Sequence, residues 1–274
     1  MKYIFLNLKR FDIPKEFGGV NSIAAPENWA DYIAASIGSK LEQYNRRAEF
    51  AIFFPEAHII PAAKSCNGSW QLGCQGVYRD DVSVGGNFGA YTTERPAKSM
   101  VALGCKWTII GHCEERKNLG EIVAAANGDK ALVNEILNKE VIKAQEAGLN
   151  VLYCVGEKVE EMDRRVDVIT GQLSDGLKNA DLSKVVIGYE PLWAIGPGRP
   201  VPTTDEIEKV ALLCKSIVNC PVVYGGGLKE ENAEMIAAAK SMNGGLIALT
   251  RFSGDVGFYP DEYLRIIEKY LNAD

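Results

Sequence analysis

The chain has 274 residues, 47% of them hydrophobic, and a formal net charge of -6. That length and apolar content suffice for a sizeable core in one large α/β domain or two small ones. The acidic balance argues against nucleic acid or an anionic membrane as the main partner, because both reward a basic surface.

Eight short apolar runs read as strands: 3–8, 50–54, a weak one at 70–76, 107–111, 150–155, 184–189, 221–225 and 245–250. Apolar residues at helical spacing recur between them, over 22–47, 131–147, 163–178, 204–218 and 229–241. The last two open with TTDE and KEEN, acids that complement a helix dipole in its first turn. No low-complexity tract or linker interrupts this order, so a single domain over 1–274 is expected. Strand and helix alternating eight times fit a (β/α)8 barrel of ~250 residues better than a six-stranded doubly wound sheet, which the pattern alone leaves open. MKYIFLNLKR at the start holds too short an apolar run for a signal peptide, and no segment has the ~20 apolar residues of a transmembrane helix, so a cytoplasmic protein is expected. Seven cysteines without a CxxC pair fit reduced thiols. With only His58 and His112 to join them, a zinc site fits poorly and no metal is expected.

If the strands close, their carboxyl ends converge on one face, where α/β folds carry their sites. Asn7 and Lys9 end the first strand, Gln75 the third and His112 the fourth. Cys154, Gly156 and Glu157 follow the fifth, Glu190 the sixth, and Tyr224 with Gly225, Gly226 and Gly227 the seventh. A carboxylate, an imidazole and an ammonium on separate strands make a proton-transfer set. Each has a plainer reading as well: a satisfied strand-end acid, a core histidine, a solvated surface cation. Cys113 beside His112 suggests a Cys/His nucleophile, but adjacent side chains point in different directions. The glycines of YGGGLKEEN serve either as a tight βα turn or as a source of backbone N–H groups for an anion. After Glu190, Pro191 stops the strand, Trp193 and Ile195 give the loop apolar weight, and Gly196 and Gly198 supply the freedom of a hinge.

NLK at 7–9, GAYTTE at 89–94, WTIIGHCEERKNLGE at 107–121, CVGEK at 154–158, YEPLWAIGPG at 189–198 and YGGGL at 224–228 together resemble the triosephosphate isomerase family, in order and in spacing. The resemblance is concentrated in 87–121 and 151–228 and weak before 80 and after 243. It implies a (β/α)8 barrel that interconverts glyceraldehyde 3-phosphate and dihydroxyacetone phosphate, with no cofactor. It also implies a glycolytic and gluconeogenic role in a homodimer, with a small phosphorylated sugar as the partner. By resemblance Glu190 is the base, His112 the electrophile, Lys9 the positive charge near the substrate and Asn7 a donor beside it. Glu114 is similar to the acid that orients the lysine. The lid runs from Pro191 to about Arg199, and Gly196, Gly226, Gly227, Ala248 and Leu249 fall at the phosphate end. In the family's dimers a loop like that around Tyr91, Thr92 and Thr93 inserts beside the neighbour's site.

The departures from the family gather at that phosphate end. Gly227 stands where the family usually has serine, and Ala248 and Leu249 where it has a Gly-Gly pair. One lost hydrogen bond to a charged group is worth roughly 1.5–3 kcal/mol. The longer segment TRFSGDVGFYPDEY supplies Arg251 as a replacement anion partner able to make a bidentate contact. Gly76 replaces an amide, Leu8 a tryptophan, and Glu115 an arginine associated with the dimer contact; Arg95 next to Glu94 is placed to restore that ion pair. The rebuilt pocket end admits a second reading, isomerisation of a related sugar phosphate such as a tetrulose (erythrulose) phosphate. A non-catalytic sugar-phosphate-binding paralogue and a Schiff-base aldolase using Lys9 are weaker alternatives.

Overall fold

The computed structural model describes residues 1–196 and 199–273, so Pro197 and Gly198 of the expected lid lie outside the described residues. Eight parallel strands close into a barrel in sequence order: β1 (Lys2–Asn7), β2 (Ala48–Phe54), β3 (Gln71–Cys74), β4 (Trp107–Ile110), β5 (Asn150–Val155), β6 (Val185–Tyr189), β7 (Val222–Tyr224) and β8 (Gly244–Ile247). β1 closes the ring by pairing with β8 in the register Phe5 to Leu246. The doubly wound alternative is thereby excluded.

Around the strands run α1 (Trp29–Leu41), α2 (Ile59–Ser65), α3 (Ala97–Ala102), α4 (Cys113–Ala125), α5 (Leu132–Ala147), α6 (Arg165–Gly176), α7 (Thr204–Ile217), α8 (Ala233–Ala237) and α9 (Pro260–Asn272). α5 and α7 fall where the apolar spacing puts them. The long 22–47 pattern shortens to α1, because the 3-10 turn Pro26–Asn28 precedes the helix and another at Glu42–Tyr44 follows it. Over 229–241 only the short α8 forms, since Asn232 instead pins a turn by donating to the Gly227 carbonyl at 2.9 Å.

Side chains alternate across each strand, so one set fills the barrel and the other packs under the helices. Phe5, Phe53, Trp107, Ile109, Leu152, Val186, Val223 and Leu246 belong to the inner set. Its aromatic weight lies on β1, β2 and β4, where the Phe5 ring sits 5.8 Å from Phe53 and 5.0 Å from Trp107. Small residues compensate on the neighbouring strands. A Cβ at Gly73 would fall 2.4 Å from the Phe53 ring, and one at Gly188 3.1 Å from the Cys154 sulfur. The inward period then carries past the packed layer. Two residues beyond Phe5 is Asn7, two beyond Gly73 is Gln75, and two beyond Gly188 is Glu190. These three residues above the core are polar and continue the inward period.

Gly73→Ala forces the Phe53 ring to move and is expected to destabilise the chain by about 1–3 kcal/mol. Chemical denaturation reads this, and the loss is smaller in a Phe53→Leu background, where the space has been opened.

Candidate active site

Glu190 follows β6 directly, and its own N–H donates to the Val155 carbonyl at 2.8 Å. Glycines flank it on both neighbouring strand ends. A Cβ at Gly156 would lie 1.8 Å from the Glu190 carbonyl oxygen, and one at Gly225 2.9 Å from the Glu190 Cγ. The side chain is only 3% exposed. That burial pushes its carboxyl above the ordinary glutamate range, against the opposing pull of His112, the Cys113 N–H, Lys9 and Arg116. Both carboxylate oxygens are engaged: Cys113 N–H donates to Oε2 at 2.9 Å, and Oε1 lies 3.2 Å from His112 Nε2.

His112 is the N-cap of α4, with Nδ1 accepting from the Glu114 N–H at 3.3 Å. An accepting Nδ1 places the proton of a neutral ring on Nε2, the nitrogen that faces Glu190. The backbone before it is fixed by Gly111, at a φ of 78°, and by Arg116, whose Nε donates to the Gly111 carbonyl at 2.8 Å. His112, Cys113 and Glu190 offer ligand atoms within 4.8 Å of one another. A metal on Nε2 would require the ring to give up its Glu114 bond, so this cluster suits proton transfer better than metal binding. Burial pushes the Cys113 thiol up to about 12, and its sulfur stays 3.8 Å from His112 Nδ1, which leaves no activated Cys/His nucleophile.

Lys9 takes the left-handed region at a φ of 40°, a conformation a lysine holds only when its surroundings fix it. Asn7 Oδ1 accepts from the Lys9 N–H at 3.0 Å, and Gln75 Nε2 donates to the Lys9 carbonyl at 3.0 Å. Lys9 Nζ meets Glu114 Oε1 at 2.6 Å. Partial burial opposes ionisation of Glu114, but the Lys9 hydrogen bond and charge outweigh it and hold the carboxyl below its usual range. Asn7, Lys9, Gln75, His112 and Glu114 line a cleft of about 370 Å³, within the size range of small-molecule sites. Glu190 and Cys113 line another groove, and Glu114 lines both hollows.

The structure thus brings together Asn7, Lys9, His112, Glu114 and Glu190. Gly226 and Gly227 follow β7 on the same rim, and Ala248 and Leu249 follow β8, half-buried. Gly196 sits exposed at a φ of 116°. Arg251 is placed differently from its expected role. Its Nε and Nη2 both donate to Glu262 Oε1, at 2.9 and 2.5 Å, and its guanidinium stacks 3.9 Å above the Tyr259 ring. Its charge is already matched by Glu262 in the first turn of α9.

Two features were not assigned a role from the sequence. Glu157, after β5 and fully buried, gathers the segment around the end of β6: its Oε1 accepts from Arg165 Nε at 2.6 Å, Tyr189 OH at 3.0 Å and Trp193 Nε1 at 2.9 Å. The second is a buried acid pair. Glu115 Oε2 accepts from the Gly111 N–H at 2.5 Å, and its carboxyl lies near that of Glu140 on α5. Burial and the neighbouring Glu115 charge push Glu140 up to about 10, so it keeps its proton at neutral pH. Arg95 lies on the other side, since a Cβ at Gly76 would stand 3.3 Å from Arg95 Nη2 and 3.9 Å from Glu115 Oε1.

A family model described as triosephosphate isomerase matches residues 25–268. The triosephosphate isomerase of Chlorobium chlorochromatii is 33% identical over 241 residues, covering 83% of this chain and 87% of that one. That of Synechocystis sp. is 32% identical over 204 residues, covering 73% and 75%. The crystal structure of the Bartonella henselae enzyme superposes with a TM-score of 0.69 at 26% identity, over 98% of both chains.

Glu140 binds a proton in the folded state that the unfolded chain releases above about 4.5, so stability falls as pH rises from there toward about 10. Glu140→Gln removes that linkage while keeping a hydrogen-bond donor. Denaturant unfolding is expected to show it about 1–3 kcal/mol more stable than wild type at pH 8 and near parity at pH 4.

Proposed function

Because the chain belongs to the triosephosphate isomerase family, we infer that it interconverts glyceraldehyde 3-phosphate and dihydroxyacetone phosphate through an enediolate. The observation that carries this reading is the contact between Glu190 and His112, 3.2 Å apart at the ends of two barrel strands. Glutamate base beside neutral imidazole is this family's own arrangement. Glu190 leaves the Cys113 N–H, takes a proton from the carbon beside the carbonyl and returns it to the neighbouring carbon. His112 Nε2–H gives its proton to the carbonyl oxygen as negative charge grows there and takes one back from the neighbouring hydroxyl, so one hydrogen changes oxygen as the other changes carbon, and Lys9 adds a positive field. Burial of Glu190 strengthens it as a base, because a desolvated carboxylate binds a proton more tightly.

The remaining parts support the same chemistry. Glu157 anchors Trp193 and Tyr189, so the lid closes on a fixed hinge and excludes water from the intermediate. Asn7 and Gln75 hold the Lys9 turn open toward the cleft. Nothing in this geometry favours a four-carbon substrate. We read the assembly as a homodimer, supported by the long irregular segment between β3 and α3, where Val84 and Phe88 are exposed and Tyr78 meets Tyr91 edge-on at 5.6 Å. A cytoplasmic location is supported by the seven unpaired cysteines.

A panel of three- to five-carbon sugar phosphates tests the reading. Triose phosphates are expected to turn over at least about 100-fold faster than the rest, and Glu190→Asp to lower kcat by about 100-fold or more with little change in KM, the signature of a misplaced base. Faster conversion of a four-carbon ketose phosphate than of a triose phosphate would overturn it.

A further inference from the structure

We propose that His112, Cys113 and Glu190 form an inhibitory zinc site, at which a Zn²⁺ ion from solution engages the base and the imidazole together and stops the reaction. The site itself rests on these three side chains; only its effect on turnover rests on the isomerase reading. A ligand atom from each lies within 4.8 Å of the other two. Tetrahedral zinc, with bonds of about 2.0–2.3 Å, sets nitrogen and oxygen ligands about 3.3 Å apart, and nitrogen and sulfur ligands about 3.6 Å apart. Here His112 Nε2 lies 3.2 Å from Glu190 Oε1 and 4.0 Å from Cys113 Sγ. Small side-chain movements therefore bring all three onto one ion.

The neighbouring bonds accommodate the ion. Glu190 coordinates through Oε1 while Oε2 keeps the Cys113 N–H at 2.9 Å. The ring moves its proton from Nε2 to Nδ1 and gives up the Glu114 N–H, but a replacement acceptor stands beside it. Glu114 Oε2 is 3.7 Å from Nδ1, while the other oxygen, Oε1, holds Lys9. A carboxylate behind a metal-bound histidine is the usual outer support of a zinc site. The Cys113 thiol, a poor nucleophile because it stays protonated, becomes a ligand once the metal displaces that proton to solvent. One thiolate and one carboxylate then meet the ion's two positive charges, so little net charge is buried. Cys113 and Glu190 both line the groove of about 1130 Å³, which gives a hydrated ion its route and a water its place as fourth ligand. Sulfur and imidazole donors select zinc over magnesium and calcium, which prefer oxygen. Proton transfer and metal binding thus compete for the same three side chains.

The test uses the intact protein freed of metal by a chelator, with Co²⁺ as the coloured stand-in for Zn²⁺ and thermal unfolding as the check on folding. Wild type is expected to show a thiolate-to-cobalt charge-transfer band and the strong visible bands of a tetrahedral ion, both abolished by Zn²⁺ and by dihydroxyacetone phosphate. Zn²⁺ inhibits in competition with triose phosphate, the chelator restores activity, and Mg²⁺ has no effect. In Cys113→Ser and Cys113→Ala the charge-transfer band is lost, and the half-inhibitory Zn²⁺ concentration, taken against each variant's own uninhibited rate, rises at least about tenfold. Absence of the band in wild type, its persistence in a folded Cys113 variant, or zinc inhibition undiminished in that variant overturns the proposal. So does a band that dihydroxyacetone phosphate leaves unchanged in an enzyme that turns over triose phosphate. A Cys113-dependent cobalt band in a protein that converts no triose phosphate upholds the metal site and refutes the isomerase reading instead.

Discussion

Glu190 carries a carboxylate into a place where almost none of it meets water, and the neighbouring chain is arranged around that burial. An ionised group in such a position is stable only when hydrogen-bonded and faced by positive charge or dipoles. Here Cys113 N–H and His112 supply the contacts, and the first turn of α4 supplies both. Glycines at 156 and 225 let β5 and β7 approach closely enough to exclude solvent. The same burial that makes the group costly raises its proton affinity, which is what a base acting on carbon requires.

The barrel makes this arrangement possible by separating two tasks along each strand. Lower inward positions hold Phe5, Phe53, Trp107 and their small counterparts, and the Trp107 N–H donates to Gln71 at 2.8 Å. Upper inward positions continue the same period but carry Asn7, Gln75 and Glu190. The polar groups of the site therefore stand on a packed floor. Glu157 ties that floor to the loop after β6, since it is fixed at a strand end and accepts from Trp193.

Much of this was legible in the sequence because it depends on short-range pattern. Buried parallel strands read as continuous apolar runs, and a polar residue ending such a run is conspicuous; Glu190, His112 and Lys9 are all visible that way. α4 was not, because CEERKNLGEIVAA is mostly polar and only Val123 in it is buried. α2 and α8 are too short to show a period. Glu157 was visible as a strand-end acid, but its role comes from donors on three other segments, Arg165, Tyr189 and Trp193. The pairing of Glu115 with Glu140 runs against charge logic and becomes sensible only once burial leaves one of them protonated. Arg251 shows the reverse failure: its residue type suits an anion, and only the structure reveals that Glu262 already occupies it.

The central claim is that Glu190 removes a proton from carbon and that His112 assists without forming a covalent bond. Incubation of the enzyme with dihydroxyacetone phosphate in deuterium oxide, followed by proton NMR of the recovered substrate and product, tests it most directly. The account predicts deuterium at the carbon beside the carbonyl with wild type, and at least a thousandfold slower incorporation with Glu190→Gln, while the substituted protein still folds. Incorporation at an undiminished rate with Glu190→Gln would contradict it.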